Sequence, residues 1–292
     1  MSARSLNGTS LVERAFGRDP GGEASARGGR SLSMLKSSLA LIVGKVATMG
    51  LGFLFWLVAA RTFEVSEVGL AAGAVSAVML CTQLALVGIG SSLIVHYPRH
   101  KHDPDVLLDT AFSVVAVSSV IAAAIFFAIA ASAFHALSVV ATDPVFALAF
   151  AGMSVLGTIG ILLDQVSTVL RRGDQMFVRA LLFGLANIAL LAPVAVWSSA
   201  GGAVWIFATW VGAAAAAVVL GAVQLWRTPL RYRYRPRLRW HVAWPLLRVG
   251  VPNHWLTLTE RAPGLILPII VTELVSPAAN AAWYAAWMMA WV

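Results

Sequence analysis

The chain has 292 residues, 59% of them apolar and 12% charged, against about 45–50% apolar and 25% charged in an average soluble domain. A mean hydropathy of +0.82 and repeated apolar runs of about 20 residues, each able to cross roughly 30 Å of hydrocarbon, exclude a soluble globule and predict an all-α polytopic membrane protein. Outer-membrane barrels are excluded by the absence of strict apolar and polar alternation. A single cysteine, Cys81, excludes an intrachain disulfide or a thiolate metal cage.

Residues 1–36 are rich in Gly, Ser and Arg, too polar to offset ordering entropy, and are expected to form a disordered cytoplasmic tail. The first apolar run starts near residue 38 and is longer than a signal-peptide core, with no cleavage pattern after it. Seven spans are predicted at about 38–60, 68–94, 110–131, 145–169, 178–197, 203–225 and 246–272. An eighth begins near Ala278 and stops at Val292, with ~15 apolar-rich residues where a span needs about 20, so a fragment or an early end is expected. The domain reading is therefore a tail (1–36), a six-span lobe (37–225), a basic cytoplasmic linker (226–245) and the start of a second lobe (246–292).

Sorting the 21 basic residues by loop, with Arg171, Arg172 and Arg179 counted in the fourth, puts eighteen on the side of the tail and the even loops and one, Arg61, on the other. The positive-inside rule then makes the N-terminus cytoplasmic. Trp197 and Trp205 bracket one outer loop, and Trp226, Trp240 and Trp244 bracket the basic inner one, as an aromatic belt requires. Few lysines and many alanines fit a GC-rich bacterial genome.

Charge inside a span costs several kcal/mol unless it meets water, a partner or a ligand. Lys45 lies roughly 10 Å inside span 1, on a stripe with Thr48, Gly52 and Trp56. It reads either as a lysine snorkelling to headgroups or as a cation facing a cavity. Span 7 gathers Asn253, His254, Thr257, Glu260 and Arg261 on one arc, with Trp255, Leu258, Leu265 and Ile266 opposite. Pro252, Pro263 and Pro268 are expected to kink or interrupt this helix. A structural Glu260–Arg261 pair and a water-filled substrate path are both open readings. Lys45 and Arg261 stand out as the cations within spans, and Glu260 as the acid.

The run from Arg231 to Arg239 sets five arginines at every second position around Tyr232 and Tyr234. Topology and attraction to anionic lipid account for it at about 1 kcal/mol per basic residue, so nucleic acid is not an expected partner. His96, His100, His102, Asp103, Asp105 and Asp109 mimic a metal site, but Pro98 and Pro104 point to a solvated loop, and no metal or other cofactor is expected. The chain lacks GxxxxGK[ST], and its outer loops offer only Glu64, Glu67, Asp143 and Glu273 as acids. No paired carboxylate site follows, so an enzyme is not expected.

The stretch SSLALIVGKVATMGLGFLFWLVAARTFEVSEVGLAAGAVSAVMLCTQLALVGIGSSLIVHYP from Ser37 resembles the opening of bacterial polysaccharide exporters and O-antigen-type lipid-linked oligosaccharide flippases. That superfamily also holds the multidrug and toxic compound extrusion transporters. The A-R-x-F-x-x-x-E-V-G turn (Ala60–Gly69), L-V-G-I-G (Leu86–Gly90), DQVSTVLRRGDQMFVRALLF from Asp164, and LILPIIVTELVSPAANAAWYAAWMMAWV carry the likeness, over about residues 34–292. Thr62, Val65 and Ser66 recur as Thr272, Val275 and Ser276 at an offset of 210, as repeats in secondary transporters do. The resemblance implies a first six-helix lobe of an exporter-type fold, plus span 7 and part of span 8. It also implies alternating-access movement of a polyprenyl-diphosphate-linked oligosaccharide, with Lys45 and Arg261 on the diphosphate and Gln83, Asn253 and Thr257 on the glycan. Two alternatives remain: an extrusion-type drug or cation antiporter coupled through Glu260, and a non-transporting scaffold for glycan-synthesis enzymes.

The charge split is checked by cysteine labelling after replacement of Cys81. Cysteines near Ser199 are expected to react from outside only and those near Tyr232 from the cytoplasm only; the reverse pattern overturns the map.

Overall fold

A computed structural model describes residues 46, 48–100, 103–197 and 202–290. The tail 1–36, Lys45, His102 and Val292 lie outside the described residues. Among those described, every regular element is helical: α1 (Thr48–Thr62), α2 (Val65–Ala85), α3 (Ile89–His96), α4 (Pro104–Ala133), the short α5 (Ser138–Thr142), α6 (Pro144–Val169), α7 (Gly173–Trp197), α8 (Gly202–Arg227), α9 (Trp240–Leu274) and α10 (Pro277–Ala290). Residues 46–292 form one compact unit.

Five helical segments are long and apolar enough to cross a membrane: the α2–α3 segment with its closing turn, α4, α6, α7 and α8. They correspond to the second to sixth predicted spans. On α4, Val117, Val120, Ile121, Ile125 and Ile129 are 46–58% exposed. Their three- and four-residue spacing makes one apolar stripe on the outside of the bundle, a surface suited to hydrocarbon rather than water. The seventh predicted span is also helical, but α9 is not one of the five, because Asn253, His254, Glu260 and Arg261 dilute its apolar content. Pro245, Pro252, Pro263 and Pro268 all lie inside it, and the helix runs through them without the interruption expected from sequence.

At the centre lies α2, against which α4, α6, α8, α9 and α10 all pack. Its Gly69, Ala71, Ala72, Gly73, Ala74 and Ala77 are buried. Small side chains let neighbouring backbones approach closely, the usual basis of helix association in lipid. A Cβ at Gly69 would overlap the Pro277 carbonyl of α10, and one at Gly73 would stand 2.6 Å from the Thr272 hydroxyl of α9. Asn280 locks the first contact by donating to the Gly69 carbonyl at 2.9 Å. Phe126, Phe150 and Phe207 stack in series, at 4.4 and 6.0 Å between ring centroids, tying α4, α6 and α8 together.

The predicted second span is not one straight helix. Between α2 and α3 the chain breaks at Val87 and Gly88, with φ of 42° and 73°. A β-branched residue in that region is strained, and glycine is the residue that enters it freely. Gly88 meets Gly250 of α9 backbone to backbone; a Cβ on Gly250 would come within 2.6 Å of the Gly88 carbonyl oxygen. Carbonyls at the end of α2 are taken up by side chains, Ala85 O by Ser118 Oγ at 2.5 Å and Gln83 O by His254 Nε2 at 2.6 Å, and Ser92 Oγ of α3 donates to Leu246 O of α9 at 2.5 Å.

Acids at the far end from the basic loop serve helix termini. Glu273 accepts from the amides of His135, Ala136 and Leu137 at 2.6–3.1 Å, Glu67 from Ala203 at 2.6 Å, and Asp143 caps α6 through Val145 and Phe146.

Gly88→Ala is expected to lower stability by about 2 kcal/mol or more, from the positive φ and the overlap with α9. Gly50→Ala, with open space around it, is expected to be neutral or to stabilise α1 by up to about 1 kcal/mol. Thermal melting of both variants in detergent checks the pair, and equal melting temperatures would contradict the close crossing.

Candidate functional site

His254, Arg261 and Pro268 recur at heptad spacing and so share one face of α9, with Thr272 a turn further on. His254, Pro268 and Thr272 are buried against the bundle, yet Arg261 between them is exposed. Eighteen residues of α9 separate His254 from Thr272, roughly 27 Å of helix, whereas their contacts on α2, Gln83 and Gly73, are ten residues and roughly 15 Å apart. Arg261 is left exposed between the two contacts.

Asn253 and Glu260 are exposed with Arg261, and Thr257 is half-buried. Asn253 folds its amide back onto Val249 O at 3.2 Å. No ion pair joins Glu260 to Arg261 among the described residues, so the structural pair considered from sequence does not form. Gln83 is not part of this face: it is buried in α2, where its backbone carbonyl accepts from His254. Lys45 lies outside the described residues. Its predicted stripe is packed further along, with Gly52 against Met288 and Trp56 buried between Trp210 and Tyr284 at 6.2 and 5.1 Å.

A second polar constellation escaped the sequence reading, which assigned Arg179 to a loop. Arg179 sits six residues into α7 and donates to Asp164 at 2.6 Å, Gln224 at 2.6 Å and Ser167 at 2.9 Å. The side chains of the ion pair are 5% and 37% exposed. Arg179 is thus a further cation inside the helices, and Asp164 a further acid. Both belong to the DQVSTVLRRGDQMFVRALLF segment, so the pair clamps α6 to α7 across their turn, and Gln224 extends the clamp to α8. The available signals were Asp164, which interrupts the apolar run at 145–169, and Arg179 itself, which falls at the edge of the predicted span 178–197.

The basic loop is docked rather than freely solvated. Asp109 is buried and accepts from the Tyr232 hydroxyl at 2.8 Å and the Arg235 amide at 3.0 Å. Tyr234 meets Ser113 at 3.2 Å, and Tyr232 stacks on Phe112. Burial, reinforced by the Asp109 carboxylate, pushes the Tyr232 phenol above its ordinary range, so it stays protonated and keeps donating at physiological pH. His96 and His100 turn their rings onto backbone carbonyls of the preceding helical turn. Among the described residues no group of three His, Cys, Asp or Glu is placed to hold a metal.

Comparison of the chain with protein-family models, with curated proteins and with solved structures finds no match.

Removing one partner of a buried ion pair strands the other, and here the two are unequally buried. Asp164→Leu, which leaves the enclosed guanidinium, is expected to cost about 3 kcal/mol or more. Arg179→Met leaves the more accessible carboxylate and is expected to cost less. Melting temperatures in detergent check the order; a reversed order contradicts the clamp.

Proposed function

We propose that this chain belongs to a transporter that moves a polyprenyl-diphosphate-linked polysaccharide precursor across the bacterial cytoplasmic membrane. The observation that carries the reading is Arg261, exposed on the very face of α9 that is buried above and below it. A guanidinium at this depth is costly unless it faces water or an anion, and its planar fork suits a phosphate bidentately. In this reading Arg261 holds the diphosphate together with Lys45, while Asn253 and Thr257 meet the saccharide. The resemblance read in the sequence implies the same substrate class. Glycan-synthesis enzymes are the partners such a role implies.

Charge-assisted contacts contribute about 1.5–3 kcal/mol each. In proteoliposomes containing the protein that carries this chain, Arg261→Ala is therefore expected to slow flipping of a fluorescent polyprenyl-diphosphate saccharide by roughly tenfold to a hundredfold. Lys45→Ala is expected to act alike, and Arg261→Lys and Lys45→Arg to retain part of the rate. Normal flipping by the double alanine variant would overturn the diphosphate role. Loss of transport confined to Glu260→Gln, together with ion coupling, would favour the antiporter reading in its place.

A further inference from the structure

At the basic end, a cavity of about 420 Å³ opens between α4 and α8, a size within the range of about 300–1,000 Å³ typical of small-molecule sites. Ile159 and Leu163 of α6 form its floor, and Phe112 and Val218 stand on its two walls. Trp226, Tyr232, Arg233 and Tyr234 close it on the side of the basic loop. Exposed Val117 on α4 and Val219 on α8 directly follow wall residues Ala116 and Val218 in sequence, so the slot borders the hydrocarbon-facing surface.

The loop that caps the slot has no regular secondary structure from Arg231 to Arg239. Tyr232 faces inward and is buried, while Arg231, Arg233 and Arg235 are exposed. Arg233 is held at the mouth with its guanidinium 5.6 Å from the centre of the Trp226 ring. The one ion pair seen among the described residues is Arg179–Asp164, so these arginines have no carboxylate partner there. An apolar slot of this size with Arg233 at its mouth matches one chemistry: an apolar chain ending in a phosphate.

We propose that the slot binds an anionic phospholipid of the surrounding bilayer, one acyl chain lying over Ile159 and Leu163 and the phosphate meeting Arg233. The site is separate from Arg261 and does not depend on the transport reading. The lipid would fasten the loop to the ends of α4 and α8, adding to the Asp109–Tyr232 tie. Nucleic acid would meet the same arginines but has nothing to place in an apolar slot.

The test is native mass spectrometry of the full chain, delipidated in mild detergent and titrated with phosphatidylglycerol and phosphatidylcholine of identical acyl chains. At about 1 kcal/mol per basic residue, phosphatidylglycerol is expected to bind at least about fivefold more tightly. Arg233→Gln is expected to remove about fivefold of that affinity. Val218→Phe, which fills the slot, is expected to weaken both lipids by roughly tenfold, through the loss of buried methylene contacts. Ala222→Leu is a milder filling variant with the same expected direction, should Val218→Phe fail to fold by circular dichroism. Equal binding of the two lipids would overturn the proposal. So would a preference that survives slot filling, which marks surface attraction alone, or displacement of phosphatidylglycerol by an equal concentration of a polyprenyl phosphate or a single-stranded oligonucleotide.

Discussion

Along α2 the buried residues Gly69, Ala71, Ala72, Gly73, Ala74 and Ala77 present almost no side chain, and five other helices come to rest on that surface. Hydrocarbon gives helices no hydrophobic reason to associate, so contact area and a few interhelical hydrogen bonds must hold them. A helix built from small residues offers its backbone to both. The Gly69 carbonyl accepts from Asn280, and the Thr272 hydroxyl fits against Gly73. The positions of α9 and α10, and hence of every candidate site residue on α9, follow from how closely α2 lets them approach.

Charge is handled differently at the two ends of the bundle. Glu67, Asp143 and Glu273 are each consumed by backbone amides at helix starts and turns, where the dipole and the orphan N–H groups favour a carboxylate. Arginines of the opposite end are mostly left exposed on a loop that Asp109 and Tyr232 hold in place. Arg179 is the exception, drawn into the bundle by Asp164, Gln224 and Ser167. One end is thereby stapled through its acids, while the other keeps a row of cations available to anionic groups.

Two candidate sites result from these constraints. Near the middle of α9 the backbone is fixed to α2–α3 at Gly88–Gly250 and at Gly73–Thr272, and over the stretch between them Arg261 is uncovered. At the basic end, residues of α4, α6 and α8 line the slot capped by the arginine loop. Each place joins a cation to surroundings of its own character, with exposed Asn253 and Glu260 on the helix of Arg261 and an apolar slot beneath Arg233. That contrast is why the first suits a headgroup with its saccharide and the second a lipid chain.

Sequence alone determined the helical class and the second to sixth spans, because a bilayer demands about 20 apolar residues per crossing and composition records that demand directly. It also singled out α9 as the unusual helix, since Asn253, Glu260 and Arg261 stand out in any apolar run. Tertiary structure decided what periodicity does not encode. The break at Val87–Gly88 answers to a glycine in another helix, 162 positions away. Burial of Arg179 depends on carboxylate, amide and hydroxyl groups from two other helices, so a residue counted as a loop charge became a clamp. Gln83 and His254 met through a backbone carbonyl, a partner that every residue carries and no motif marks. Exposure of Arg261 between buried His254 and Pro268 on the same helix face depends on which neighbours α9 meets and is not written in the local sequence around it.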